Sequence, residues 1–244
     1  MLRQQKNTQL LERVAEIRRY HPRLGTRKLH YLLRRHPLMI GRDKLFDLLR
    51  ENRLLIRPRR AYQKTTLSHH RFRRHPNRLK DGLVPVGPEQ VWVADITYLP
   101  TRETEGYLAL VSDACSRKIV GYSLEDNMKT ATVARALNMA LKSRKSAGPL
   151  IHHSDRGVQY CSAEYQKIHQ CHGIQCSMTD GYDCYQNALA ERINGILKQE
   201  YLTHKPKDIA EARKMVGEAV RLYNEQRPHL SLKYKTPDEV HRAL

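Results

Sequence analysis

Apolar residues recur at helical spacing over the first 56 positions, then switch to strand-like runs after residue 90. Leu10, Val14 and Ile17 form one stripe of a segment over 8–20, which His21-Pro22 should end. Thr26 can cap a second helix carrying Leu29, Leu32 and Leu33, which stops near Pro37. After Gly41 a third helix runs from about Arg42 to Asn52, with Leu45, Leu48 and Leu49 facing inward. Three short helices joined by tight turns predict a helix-turn-helix-like module over 1–56.

Residues 57–90 lack either period. Arg57-Pro58-Arg59-Arg60 and Arg71-Phe72-Arg73-Arg74-His75-Pro76 carry prolines and too few apolar residues for a core, which predicts a basic linker. From Val91 onward, over 91–244, the pattern is α/β. Val91–Leu99 reads as a buried strand with one carboxylate, Asp95, at its centre. Alternation puts Val91, Val93, Asp95, Thr97 and Leu99 on one face and Trp92, Ala94, Ile96 and Tyr98 on the other. Strands follow at Tyr107–Asp113 and Lys118–Leu124, joined by a turn at Cys115-Ser116-Arg117, and a helix at Thr130–Lys145. Then come a strand at Leu150–His153, a helix at Ala163–Cys171, a strand at Ile174–Ser177, and helices at Asn187–Tyr201 and Ile209–Asn224. Three antiparallel strands, a helix, a strand, a helix, a strand and further helices give the order of a ribonuclease-H-like fold.

Charge sharpens this division. Residues 1–90 hold 23 Lys and Arg against 7 Asp and Glu, whereas the remaining 154 hold 21 against 18. The net charge of +19 favours a polyanionic partner, and its concentration at the front favours DNA contact by the helical module over a merely solvated bundle. Arg42 and Lys44 then stand at the front of the third helix, where groove contacts are made. A membrane role is disfavoured, because there is no long apolar span or signal-peptide core. Five cysteines (115, 161, 171, 176 and 184) form no CxxC pair and read as free thiols in a reducing cytoplasm. His69, His70 and His75 have no cysteine near them, which argues against a zinc module at the front.

A lone Asp on a buried strand is most simply a structural charge in need of a partner. Two further acids change that reading. Asp155 follows the fourth strand, just before Gly157, and strand ends are where open α/β sheets bind ligands. Glu191 shares a helix face with Asn187, Asn194 and Lys198. A central-strand Asp, a strand-end Asp and a helical Glu can converge on hard divalent cations. Two such ions about 4 Å apart activate a water or 3′-hydroxyl and stabilise the leaving oxygen at phosphorus. His152 and His153 could be general bases, but orienting the strand end is the better reading. Asp113, Asp126, Asp180 and Asp183 read as turn or surface residues.

Trp92-(x2)-Asp95-Ile96-Thr97-Tyr98, His153-Ser154-Asp155-(x)-Gly157-(x)-Gln159-Tyr160 and Asn187-Ala188-(x2)-Glu191-(x6)-Lys198-(x)-Glu200 together resemble the DDE domain of insertion-sequence transposases related to retroviral integrases. The 35 residues between Asp155 and Glu191 match that group. So do Ser116-Arg117-(x2)-Val120-Gly121 and the tail Tyr223-Asn224-(x2)-Arg227-Pro228-His229, with Thr236-Pro237 and Asp238 beyond it. The pattern departs from the group at Gln186, where an Asp is usual. The resemblance implies an integrase-type catalytic domain that cleaves and joins DNA strands with two Mg2+ ions, Mn2+ substituting. Asp95, Asp155 and Glu191 would be catalytic metal ligands, and Lys198, Asn187 and Arg156 DNA contacts. It further implies double-stranded DNA partners (element ends and target), a homo-oligomer on DNA, and a bacterial cytoplasmic, nucleoid-associated location. A chain that starts at Met and lacks a heptad stretch resembles the second-reading-frame product, with a first-frame segment as partner. The competing readings are a non-catalytic DNA-binding or regulatory product of the element and a ribonuclease of RNA–DNA hybrids. The basic front and the 35-residue spacing disfavour the latter.

Overall fold

The computed structural model describes residues 2–34, 40–57, 75–80, 82–180 and 187–243. Most of the expected basic linker (Arg59, Arg60, His69, His70, Arg71, Arg73 and Arg74), together with Asp183, Cys184 and Gln186, lies outside them. Among the described residues no helix is long and apolar enough to cross a membrane, and Cys115, Cys171 and Cys176 are free thiols.

The front of the chain forms three helices: α1 (Leu2–Tyr20), α2 (Thr26–Leu33) and α3 (Arg42–Glu51). Their inward leucine stripes meet around Val14, Leu29, Leu33, Leu45 and Leu49, while Arg42 and Lys44 are exposed on the first turn of α3. Thr26 is not the cap of α2. Gly25 holds that position with extended backbone and no side-chain cap, so Thr26 is the first helical residue.

The apolar runs after residue 90 become a five-stranded sheet in the order β3-β2-β1-β4-β5. Its strands are β1 (Val91–Pro100), β2 (Glu105–Asp113), β3 (Ile119–Glu125), β4 (Leu150–Ser154) and β5 (Ile174–Met178). The first three pair antiparallel, and β4 and β5 add in parallel through helical crossovers. Strand β1, buried on both faces, is therefore central. Trp92, Ala94 and Ile96 pack towards α4 (Thr130–Ser143) and α6 (Ala163–Cys171). Leu99 packs towards α7 (Ala188–Ile196) and α8 (Ile209–Gln226). The face assignment read from alternation is the one observed.

Several elements have no counterpart in the apolar pattern. A single-turn helix, α5 (Val158–Cys161), follows Asp155, and α9 (Pro237–His241) closes the tail with a capping box between Thr236 and Glu239. The helix expected over Asn187–Tyr201 changes character midway, α7 giving way to a π-helical turn at Leu197–Tyr201. Gly121 belongs to the α4–β3 contact: a Cβ there would stand 2.1 Å from the Ala136 carbonyl. Asp113 is a turn residue, as expected, but not a surface one. It is fully buried at the β2–β3 turn, where its carboxylate accepts from the backbone N–H of Glu89, Cys115 and Ser116 and from the Ser116 hydroxyl.

Candidate active site

Strands β1 and β4 pair in parallel only as far as Val93↔His153. Carrying that register forward two residues sets Asp95 level with Asp155, on strands about 4.8 Å apart where paired. Asp155 lies just past the end of β4, close enough for its charge to act on Asp95. His152 turns to α6, where its Nε2 lies 3.1 Å from the Tyr165 hydroxyl, and burial holds its pKa well below the imidazole value. His153 is also fully buried, with Nδ1 2.8 Å from Ser177 Oγ. These contacts fit histidines that fix the end of β4 rather than general bases.

Helix α7 is fastened along β1 by three side chains on one stripe. Asn187 Nδ2 donates to the Ala94 carbonyl at 3.0 Å, Asn194 Nδ2 to Asp95 Oδ2 at 2.8 Å, and Lys198 Nζ to Thr97 Oγ1 at 3.3 Å. Asn187 is only 4% exposed, and its amide ties the start of α7 to β1. Asn194 was visible in the sequence only as a member of that stripe, and its hold on Asp95 was not foreseen. Lys198 is half-buried; burial lowers its pKa, while the Asp95 charge acts to raise it.

The three acids sense one another. Burial, followed by the Asp155 charge, pushes Asp95 up to about 7, and Glu191 adds to the rise while Asn194 and the Ile96 N–H oppose it. Partial burial and the Asp155 charge also raise Glu191, an exposed residue in the first turn of α7. Asp155 Oδ1 accepts the Gly157 N–H at 3.0 Å. The φ of Gly157 is −58°, ordinary for any residue. A Cβ there would stand 3.0 Å from Asp155 Oδ1, a tight contact that the carboxylate would have to shift to accommodate. Arg156 is half-buried next in sequence, while Arg42 and Lys44 sit on the separate front helices.

Among the described residues no three His, Cys, Asp or Glu side chains are gathered into a ready-made metal cage. The donors nonetheless suit a hard cation. They are carboxylates only, and burial followed by their mutual repulsion raises the pKa values of Asp95 and Glu191, a cost that a divalent ion would relieve.

Comparison with known proteins places this arrangement. The integrase core domain matches residues 85–184, and a second integrase core domain matches 172–237. The chain is 40% identical over 210 residues to an insertion element IS600 protein of Shigella sonnei, covering 85% of this chain and 77% of the relative. It is 35% identical to the transposase InsF of IS3A from Escherichia coli, covering 77% of this chain and 65% of that one. A putative IS986/IS6110 transposase of Mycobacterium tuberculosis is 33% identical over 73% of this chain and 66% of its own length. The chain thus spans slightly under two thirds of the latter two relatives. Among solved structures, the HTLV-2 integrase catalytic core in complex with magnesium superposes with a TM-score of 0.52 at 20% identity, covering 64% of this chain and 98% of that one. A simian T-cell lymphotropic virus intasome structure gives 0.56 at 18% identity, covering 93% of this chain and 74% of that one. At such identities the structural likeness speaks for the fold alone, which is that of the retroviral integrase core. With its integrase core and its 40% identity across most of an insertion-element protein, the chain belongs to the family of insertion-sequence transposases built on an integrase-like catalytic domain.

Proposed function

We propose that this chain cleaves and joins DNA strands during movement of an insertion sequence, with Asp95, Asp155 and Glu191 as the metal-binding carboxylates. The observation that carries the reading is the electrostatic coupling of these three acids across β1, β4 and α7. When bound, a pair of Mg2+ ions, or Mn2+ in their place, would supply an activated oxygen nucleophile and charge stabilisation at the phosphodiester. The chain's own residues prepare the site. Asn194 orients Asp95, the Gly157 N–H orients Asp155, and Lys198 brings a cation to the same face. Lys198 and Arg156 are proposed to meet the DNA backbone near the scissile bond, and Arg42 and Lys44 to meet a groove.

The proposed division is a helix-turn-helix-like module at 1–56, a basic linker at 57–90 and the catalytic domain at 91–244. The partners are double-stranded DNA at element ends and target, further copies of the chain on that DNA, and a first-frame segment where the element encodes one. The free thiols of Cys115, Cys171 and Cys176 are in keeping with a cytoplasmic location.

A second reading, a DNA-binding product of the element without catalysis, is favoured by one observation: Arg42 and Lys44 stand exposed on α3, on a helical module separate from the carboxylates. Incubation with DNA carrying the element's ends, in Mg2+ or Mn2+ and with the first-frame segment supplied, separates the two. Nicking or joining that is lost by at least about 10³-fold in Asp155→Asn is expected. Full activity in that variant, or tight DNA binding with no cleavage under either metal, would overturn the catalytic assignment.

A further inference from the structure

Two motifs in the sequence, Lys198-(x)-Glu200 and the tail Arg227-Pro228-His229, meet in the structure. Glu200 accepts a forked pair from Arg227, Nε to Oε2 at 2.8 Å and Nη2 to Oε1 at 2.7 Å. The Arg227 side chain is 3% exposed, and its Nη1 also lies 3.0 Å from His229 Nε2. A forked pair this enclosed fixes orientation as well as charge. The same carboxylate faces a second cation from the front of the chain, Lys28 of α2, whose Nζ is 3.9 Å from Oε1. The neighbouring Tyr201 hydroxyl lies 2.9 Å from Nδ1 of His21, the residue that ends α1, and both side chains are buried. Tyr31 of α2 stacks on Tyr234 of the tail at 4.5 Å, extending the same seam.

The contacts of Arg227, Lys28 and His21 all fall on the π-helical turn Leu197–Tyr201. At its start Lys198 holds Thr97, two residues from Asp95. At its end Glu200 and Tyr201 hold the tail and the front helices. Turns of this kind are rare and collect at functional sites. Five residues thus touch the strand of the first carboxylate, the C-terminal tail and the N-terminal module.

We infer that Glu200 is a positioning residue: held between Arg227 and Lys28, it sets the π-helical turn, and with it Lys198 and the Asp95 strand, according to whether the front helices are docked. Capture of DNA by those helices is then felt at the carboxylates, a consequence that rests on the proposed strand-cleavage reading. A fork that merely stabilised α7 would transmit nothing from Lys28 or His21 to β1.

Hydrogen exchange on the full chain, without DNA or metal, separates these cases. The variants are Lys28→Met, His21→Phe and Glu200→Gln. His21→Phe keeps the ring contact with Tyr201 and removes only the hydrogen bond, so it and Lys28→Met serve if Glu200→Gln folds poorly. Exchange at Ala94–Tyr98 is expected to quicken about fivefold in each, in the range a single lost hydrogen bond gives, with α4 unchanged. Quickening confined to α2 in both mild variants overturns the inference. In the cleavage assay, His21→Phe should lower kcat about fivefold at constant KM. An unchanged kcat in an active chain also overturns it. A wild-type chain without turnover counts against the proposed function instead, and exchange alone then decides the coupling.

Discussion

Asp95 shows how one side chain can oppose the fold that carries it. Its pKa in the folded chain, about 7, lies above the ordinary carboxylate value of 3.8. Between these two pH values the folded state holds a proton that the unfolded state has lost, so metal-free stability should fall as pH rises from about 4 to 7. Asp95→Asn removes the titrating charge but leaves an oxygen to accept from Asn194. Thermal unfolding in chelator should show the variant more stable than the parent at pH 8, by roughly 2 kcal/mol, with little difference at pH 4. Equal stability at both pH values would count against the burial of this charge. Binding of Mn2+ should tighten as pH rises through about 7, because the ion competes with that proton, and calorimetry at pH 6 and 8 would register it. The three acids were legible in the sequence because their settings (strand centre, strand end, helix face) follow from local pattern. Their not forming a closed cage was not legible, because it depends on the relative placement of β1, β4 and α7 to within an ångström or two.

At the scale of elements, α7 is held to β1 by Asn187, Asn194 and Lys198 at intervals of seven and four residues. Asn187→Ala is expected to destabilise the chain by about 1–3 kcal/mol, since it leaves the Ala94 carbonyl without that donor. The salt dependence of DNA affinity should not change, and a shallower salt slope would mark Asn187 as a phosphate contact. The sequence showed the stripe but not its target, because partners 93 to 101 residues away leave no local trace. Gly121→Val should cost several kcal/mol by driving α4 off β3, seen as a lowered unfolding midpoint.

For the whole molecule, charge and chemistry are separated along the chain, with most of the net positive charge before residue 91 and the carboxylates after it. Arg42→Ala and Lys44→Ala should each reduce the slope of log affinity against log salt by about 1 if they neutralise phosphates, without altering Mn2+ binding. An unchanged slope would show that neither side chain meets a phosphate. The helices and strands themselves were readable from apolar periodicity. The seam between the halves was not, since His21 and Tyr201 stand 180 residues apart and neither belongs to an apolar stripe.

Trp92 is the chain's single tryptophan, fully buried on β1 three positions before Asp95. Indole emission is therefore a private optical gauge of the sheet, silent about the three helices in front. A melt followed at the indole and one followed by far-ultraviolet circular dichroism will coincide only if the front helices and the sheet come apart as one cooperative body.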